Sequence, residues 1–209
     1  MEKSYTLDDW CEVFFTIDRN QKRRRRDIDR FKINKDSKKL EIGCADGLNL
    51  KVLDSAGQNN IFGVDILTKF FPMVKKFKFI CSDTRNLGIK NNSFNEIYCR
   101  YVLHHVSEPH IFSEMIRVLE PNGLIHIVEP WPTIFRSIAD FLTLHILYGI
   151  NKTLYYRRIC LIFEKENYLY WLKNRRIILS QAIKKYDLKV VYKQISLFSV
   201  YITFKKQHD

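Results

Sequence analysis

The sequence predicts an α/β fold, built on a seven-stranded and mostly parallel sheet with helices on both faces. Two patterns carry this prediction. Short apolar runs that end at turn residues alternate with helical segments over residues 38–130, as in a parallel sheet with crossover helices. Two further runs, 188–195 and 198–204, are joined by a short connection and predict an antiparallel strand pair that closes the sheet.

One domain is the expected count for 209 residues, and a hydrophobic content of 46% is typical of a folded globule. We expect residues 1–37 to form an N-terminal helix and a basic linker, and residues 38–209 to form the main domain. Within that domain, residues 131–173 predict a helical insertion rich in aromatic side chains. The N-terminal helix is predicted from an apolar stripe of Trp10, Val13, Phe14 and Ile17.

The segment 38–47 predicts a strand, a tight turn and the start of a helix. Leu40 and Ile42 provide the apolar strand, while Gly43 and Gly47 permit positive φ or the close approach of a ligand. The helix that follows turns its free amide groups toward whatever lies over the turn. This arrangement predicts a cradle for a polar cofactor.

An acidic residue follows the next predicted strand. Asp65 ends the apolar run 61–64, and its position 18 residues after Gly47 suits a carboxylate that binds ribose hydroxyls. The run from Glu41 to Gly47 resembles the acid-x-Gly-x-Gly-x-Gly signature of class I methyltransferases, which use S-adenosylmethionine and have a Rossmann-like sheet; Ala45 replaces the middle glycine. A nucleotide oxidoreductase is the alternative, but Glu41 favours the methyltransferase.

The resemblance implies roles for individual residues. In this family the residue at Glu41 lies near the cationic methionine end of the cofactor, and a carboxylate after the third strand, here Asp83, accepts from the adenine amino group. An Asx turn is the structural alternative for Asp83. The predicted cofactor-binding set is Glu41, Gly43, Cys44, Ala45, Gly47, Asp65, Ile66, Asp83, Thr84 and Arg100.

Residues after the predicted fourth strand border the methionine end and the substrate in the resembling family. There, Arg100 is expected to hold a carboxylate, of the methionine or of an acidic substrate, or else to lie at the surface. Because it would repel a sulfonium, a partner carboxylate or a solvent-facing rotamer is expected. His104 and His105 are candidate catalytic bases, and Arg100 completes the candidate catalytic set; a packing role is the alternative for the histidines.

The resemblance covers residues 38–130. A helix is expected to start at Ser107, and the turn 120–123 is expected to end it before a buried strand over 124–128. In the family, insertions after the fifth strand form a lid that decides the substrate. The aromatic stretch 131–173 is therefore expected to be a helical lid, although packing on the sheet is the simpler explanation for most of its aromatic residues. A helix over 177–183 is expected to lead into the last strand pair.

The charge and the cysteines of the chain limit which partners and which cellular location are expected. The net charge of +12 includes one dense block, Lys22 to Arg26, which predicts either a solvated linker or a docking patch for phosphate groups. Cys44, Cys81 and Cys99 are expected to be buried reduced thiols in a cytoplasmic protein, with no metal site. The longest apolar region, 134–150, contains charged residues and predicts no membrane span.

These observations favour a metal-independent enzyme that methylates a small or lipid-linked metabolite, with oxygen as the acceptor atom. Peripheral membrane contact is compatible with this interpretation, and the oligomeric state is not predicted. One alternative is an RNA or protein methyltransferase that uses the arginine block, although the Asn/Asp-Pro-Pro-Tyr motif of base methylases is missing after Arg100. Another is a cofactor-binding subunit without catalysis, which supports a partner through its aromatic helices.

Overall fold

The computed structural model describes residues 21–67, 76–106 and 110–207. Its sheet has seven strands in the order β3-β2-β1-β4-β5-β7-β6, in which only β7 runs opposite to the others. This confirms the predicted sheet with its antiparallel end. The strands are β1 Lys39–Ile42, β2 Ile61–Asp65, β3 Lys78–Cys81, β4 Phe94–Arg100, β5 Leu119–Pro130, β6 Leu188–Ile195 and β7 Ser199–Lys206.

Helices cover both faces of the sheet, because successive residues of the central strands enter two different cores. Ile97 of β4 packs in one core with Met115 and Trp171, while the next residue, Tyr98, packs in the other with Leu50 and Ile28. The helices are α1 Gln21–Ile28, α2 Leu48–Ser55, α3 His110–Val118, α4 Ile134–His145, α5 Lys152–Phe163 and α6 Lys165–Lys185, with a 3₁₀ turn at Leu147–Gly149.

The strand order reverses at β1, which pairs with β2 on one side and with β4 on the other. All three strands are parallel, so their carboxyl ends meet at one edge of the sheet. Such a switch point is where open α/β sheets bind ligands. It brings the turn after Ile42, the carboxylate of Asp65 and the loop after Arg100 to this edge of the sheet, where a crevice for the cofactor is expected.

The basic segment expected to be a solvated linker is the helix α1, which packs against the domain. Arg24 is buried and donates from Nη1 to Oδ1 of Asn49 on α2 at 2.9 Å. Helical spacing puts Asp27 and Ile28 on the same buried face, while Arg25 lies outside. The linker prediction was wrong because these polar residues have partners far along the sequence.

Three further differences have local causes. β5 begins at Leu119, and residues 120–123 interrupt its pairing with β4, where the register passes from Leu119 to Leu124. Cys81 is exposed because β3 is an edge strand, whereas Cys44 and Cys99 are buried as expected. The helix predicted over 177–183 is the end of the 21-residue helix α6.

Some predictions fall on residues that the structure does not describe. They are the N-terminal helix within 1–20 and the helix start at Ser107. They stay predictions.

Candidate active site

The turn between β1 and α2 has the conformation that the glycine pattern predicts. Gly43, Ala45 and Gly47 have φ of 67°, 43° and 69°. A left-handed backbone costs an ordinary L-residue about 1–2 kcal/mol, and the amide of Ala45 offsets this by donating to Oδ2 of Asp65 at 2.8 Å. Ala45 is buried, so its methyl group fits the turn.

Gly43 brings this turn against the loop that follows β4. Its amide donates to the carbonyl of Val64 at 2.9 Å, which joins the turn to β2. A Cβ at Gly43 would overlap Cγ2 of Val102. Glycine is thus required here both by the positive φ and by the close approach of the neighbouring loop.

Asp65 lies at the edge of the crevice with its carboxylate fixed by backbone amides. Oδ2 accepts from Ala45, and Oδ1 accepts from Leu67 at 2.9 Å. Burial raises its pKa, and these hydrogen bonds oppose that shift. Ile66 beside it is 59% exposed, and Cys44 is buried behind the turn. The role of Asp65 toward ribose stays a prediction, as does cofactor contact by Cys44 and Ile66.

Glu41 is the most unusual acid of the crevice. It is 1% exposed, and Asn49, which is held by Arg24, donates to its Oε1. Its Oε2 is buried and has no hydrogen-bond partner among the described residues. Burial raises the pKa of Glu41 to about 8. A buried carboxyl oxygen without a partner fits a cationic ligand group, such as the sulfonium or ammonium of S-adenosylmethionine.

Cofactor binding at pH 7 is therefore expected to release about one proton, because a nearby cation favours ionised Glu41. The raised pKa also makes the free energy of unfolding decrease as the pH rises from 4.5, the ordinary pKa, to about 8. In this pH range the unfolded chain has lost the Glu41 proton, whereas the folded chain still holds it. Glu41→Gln removes both effects. Calorimetric titration of S-adenosylmethionine in buffers of different ionisation enthalpy measures the release. Equal proton release by both proteins would show that Glu41 does not face the cationic end.

Asp83 and Thr84 lie just beyond β3 in a turn. Arg85 donates from Nε and Nη2 to the Asp83 carboxylate and, together with its own backbone amide, lowers the pKa of Asp83 to about 2. The carboxylate is therefore ionised and remains a pure acceptor. The Asx-turn hydrogen bond from the Arg85 amide is present, so an adenine amino group would share this carboxylate with Arg85.

Arg100 ends β4 and is buried with a partner carboxylate, one of the two arrangements expected for it. Its Nε donates to Oδ2 of Asp27 at 3.0 Å, and its guanidinium lies 4.5 Å from the ring centroid of Tyr101. Tyr201 on β7 donates to the other oxygen of Asp27 at 2.7 Å. Asp27 thus neutralises a cation close to the crevice, and it was not recognised from the sequence. Carboxylate binding and catalysis by Arg100 remain predictions.

Glu129, at the end of β5, organises the loop that carries the histidine pair. Its Oε1 accepts from the amides of Val102 and Leu103, both at 2.7 Å, and its Oε2 accepts from Nδ1 of His104 at 2.7 Å. The residue is fully buried. Sequence reasoning missed this role, although an acid at the end of a buried strand was a signal for it.

The two histidines differ in charge. Burial alone lowers the pKa of His104, but the carboxylates of Glu129 and Glu164 outweigh burial and raise it to about 9. Burial and the neighbouring His104 cation lower the pKa of His105 to about 4. At neutral pH, His104 is protonated and His105 is neutral. Of the pair, only His105 is then neutral, although a pKa of about 4 makes it a weak base, and its catalytic role stays a prediction.

Several solved structures with this architecture are described as methyltransferases. A candidate S-adenosyl-L-methionine-dependent methyltransferase of Methanococcus maripaludis has a TM-score of 0.69 at 14% identity, with 100% of this chain and 98% of that chain covered. A SAM-dependent methyltransferase of Aquifex aeolicus has a TM-score of 0.63 at 11% identity, with 97% and 100% covered. A candidate methyltransferase of Haloferax volcanii, in complex with the Trm112 activator, has a TM-score of 0.65 at 12% identity, with 99% and 100% covered.

The fold and the crevice therefore define a class I methyltransferase architecture. Residues 40–127 match the family model described as a methyltransferase domain, and these residues include the turn, Asp65, Asp83 and the histidine pair. The comparison with curated protein sequences gave no match. Residues 40–127 are thus similar to a methyltransferase domain, and the sheet that contains them has the fold of these S-adenosylmethionine-dependent methyltransferases. When bound, the cofactor supplies an electrophilic methyl group carried on a sulfonium.

Proposed function

We propose that the protein methylates a small or lipid-linked metabolite at oxygen, and that the lipid-linked kind is favoured. The observation that carries the proposal is the orientation of α4, which follows β5 and so begins at the ligand-binding edge of the sheet. Its large apolar side chains face outward: Ile134, Phe135, Ile138 and Phe141 are between 52% and 77% exposed. Exposed apolar surface of this kind marks contact with a membrane or another partner.

The inner face of α4 is polar, which fixes this inverted orientation. Arg136 is buried and donates to the carbonyl of Phe198. Asp140 accepts from the hydroxyl of Tyr168 at 2.5 Å and from Arg157 at 3.3 Å. Rotating the helix to bury its phenylalanines would break these contacts and leave charges unpaired. The apolar face is therefore kept outside by the polar packing beneath it.

The charge of the chain suits an anionic lipid surface. The net charge is +12, and a cationic protein with an exposed apolar helix binds such surfaces through both attractions. No helix in the described parts of the chain is long and apolar enough to cross a bilayer. The free buried thiols of Cys44 and Cys99 suit a reducing compartment, which supports a cytoplasmic location with contact at the inner membrane surface.

The chemistry proposed here assigns proton acceptance to His105. An oxygen acceptor with an ordinary hydroxyl must lose its proton during transfer, and His105 is the neutral imidazole of the loop after β4. Methyl transfer otherwise depends on alignment and on the exclusion of water. Glu129, Val102 and Leu103 support this by holding the loop through buried hydrogen bonds.

Binding to vesicles of phosphatidylglycerol and phosphatidylcholine tests the lipid surface. Phe135→Ser combined with Phe141→Ser is expected to reduce binding at least about tenfold, because each inserted phenyl ring contributes about 1.5–3 kcal/mol. Val191→Ser is the matched control, since Val191 is 47% exposed on the edge strand β6. The proposal also expects tritiated methyl groups from S-adenosylmethionine to enter the organic phase of a lipid extract. Label confined to polar metabolites would contradict the lipid-linked acceptor.

An RNA acceptor that uses the arginine block is the weaker alternative. Arg24 is buried, and Arg23 donates to the hydroxyl of Tyr101 at 2.9 Å, so part of the block serves internal packing. The exposed members are Lys22, Arg25 and Arg26. Transfer of label to RNA, lost when Arg25 and Arg26 are replaced by alanine, would favour this alternative.

A protein partner on α4 is a second candidate for the use of the same face. The Haloferax volcanii structure holds its candidate methyltransferase together with an activator protein. If the serine variant of α4 aggregates less but binds vesicles as the wild type does, the apolar face serves a protein partner instead of a membrane. The non-catalytic subunit is the corresponding alternative if no acceptor takes label.

A further inference from the structure

We propose that His104, His105 and Glu164 bind a divalent transition-metal ion, with zinc as the reference ion. Each residue offers one ligand atom, and these atoms all lie within 4.8 Å of one another. Two imidazole nitrogens and one carboxylate oxygen form a donor set that suits zinc and other first-row metals. This proposal replaces the sequence-based expectation of a site without metal.

The distances are close to those of a formed site. Nε2 of His104 lies 3.6 Å from Oε2 of Glu164, and Nε2 of His105 lies 3.9 Å from Oε1 of the same residue. Zinc bonds of about 2.1 Å at tetrahedral angles put ligand atoms about 3.4 Å apart. Side-chain rotations that move the ligand atoms by about 1 Å therefore close the site around an ion, with a fourth coordination position left open.

The orientation of His104 is that of a metal ligand. Its Nδ1–H donates to Glu129 at 2.7 Å, and this directs Nε2 toward Glu164. Metal-binding histidines regularly donate their second ring nitrogen to a carboxylate in this way, which fixes the ring and raises its basicity. Glu129 is a positioning residue in this account, because it acts through His104. The ion replaces a proton at Nε2, so binding releases that proton to solvent.

The site would join two parts of the molecule. His104 and His105 belong to the loop after β4, whereas Glu164 lies between α5 and α6 in the helical region after β5. An ion there ties that helical region to the loop that borders the crevice. With an ion bound, His105 is a ligand and does not accept the proton of the acceptor; the open coordination position would instead bind the acceptor hydroxyl and lower its pKa, so that its proton leaves to solvent. This last role, unlike metal binding itself, rests on the proposed function.

Zinc binding is measured by calorimetric titration of chelator-treated, full-length protein with zinc chloride. We expect one ion per chain, and at least about tenfold weaker binding by Glu164→Gln and by Glu129→Gln. His110→Asn is the matched control, because His110 is an exposed histidine at the start of α3 and should leave the affinity unchanged. Circular dichroism verifies that each variant is folded.

The possible results distinguish the metal site from the methyl-transfer reaction. Absence of zinc binding by folded wild type, or equal affinity in wild type and Glu164→Gln, overturns the metal site. Cobalt is a second probe, because its visible absorption changes with nitrogen and oxygen ligands, and the change should be lost in Glu164→Gln. Metal binding without methyl transfer to any lipid or metabolite keeps the site and contradicts only the proposed function.

Discussion

Asp27→Ala is expected to lower the free energy of unfolding by about 3–5 kcal/mol, because it leaves the Arg100 cation in the interior without its carboxylate. Asp27 and Arg100 side chains are 5% and 3% exposed, so water does not replace the lost partner. The change also removes the acceptor of the Tyr201 hydroxyl. Because α1 supplies Asp27, the change also removes one of the contacts that hold the basic helix against the sheet.

Urea denaturation of Asp27→Ala and of Asp29→Ala measures the free energy of unfolding for a buried and an exposed ion pair of the same helix. Asp29 pairs with Arg25 at 2.6 Å, but these side chains are 50% and 44% exposed, and an exposed pair contributes only about 0.2–1 kcal/mol. The first variant should therefore lose several times more stability than the second. Similar losses in both variants would mean that Arg100 does not depend on α1.

Gly43→Ala is expected to destabilise the fold by about 2–5 kcal/mol and to abolish cofactor binding. The left-handed conformation at φ 67° costs an alanine about 1–2 kcal/mol, and the overlap of its Cβ with Val102 adds about 1–3 kcal/mol. Relief of the overlap must shift either the turn or the loop after β4. Both line the crevice, so the cofactor cradle deforms in either case.

Two further variants separate these contributions. Gly88→Ala is the matched control, since a Cβ there meets nothing within 4 Å, and its stability should stay within about 0.5 kcal/mol of wild type. Adding Val102→Ala to Gly43→Ala removes the overlap but not the backbone strain. If the double variant is no more stable than the sum of its single changes predicts, the contact with Val102 is not the cause.

The turn and the mostly parallel sheet with its antiparallel strand pair were predictable because their signals are local. Gly43 and Gly47 have the positive φ that their positions require, and Asp65 ends its strand in the predicted place. Ala45 shows that the backbone conformation, not the glycine itself, is what the turn needs. Hydrophobic runs separated by turn residues likewise indicated the central strands β1, β4 and β5, which are buried on both faces over most of their length and so have nearly continuous apolar sequence.

The polar interior was not predictable in the same way. In the sequence, Asp27 is one of many charged residues in the same segment. Only folding brings it to Arg100, which lies 73 residues later. Glu129 and Glu164 become neighbours of His104 through β5 and the helices after it. A sequence gives the residue type of such groups but not their partners, because each pair depends on tertiary packing.

The orientation of α4 is the clearest example of a feature that tertiary contacts determine. Its apolar residues satisfy the pattern of a core-facing helix, and sequence reasoning assigned most aromatic residues of this region to packing on the sheet. Arg136 and Asp140 instead face inward, because Phe198, Tyr168 and Arg157 offer them partners there. The apolar face is consequently the outer one.

Calorimetric titration of S-adenosylmethionine into wild type and Gly43→Ala tests the central claim, that the crevice at the strand switch point binds this cofactor. We predict binding by wild type with a dissociation constant in the micromolar range, about −8 kcal/mol, and none by a folded Gly43→Ala variant. A folded wild type that binds neither S-adenosylmethionine nor its demethylated product, or a variant that binds equally well, would contradict the account.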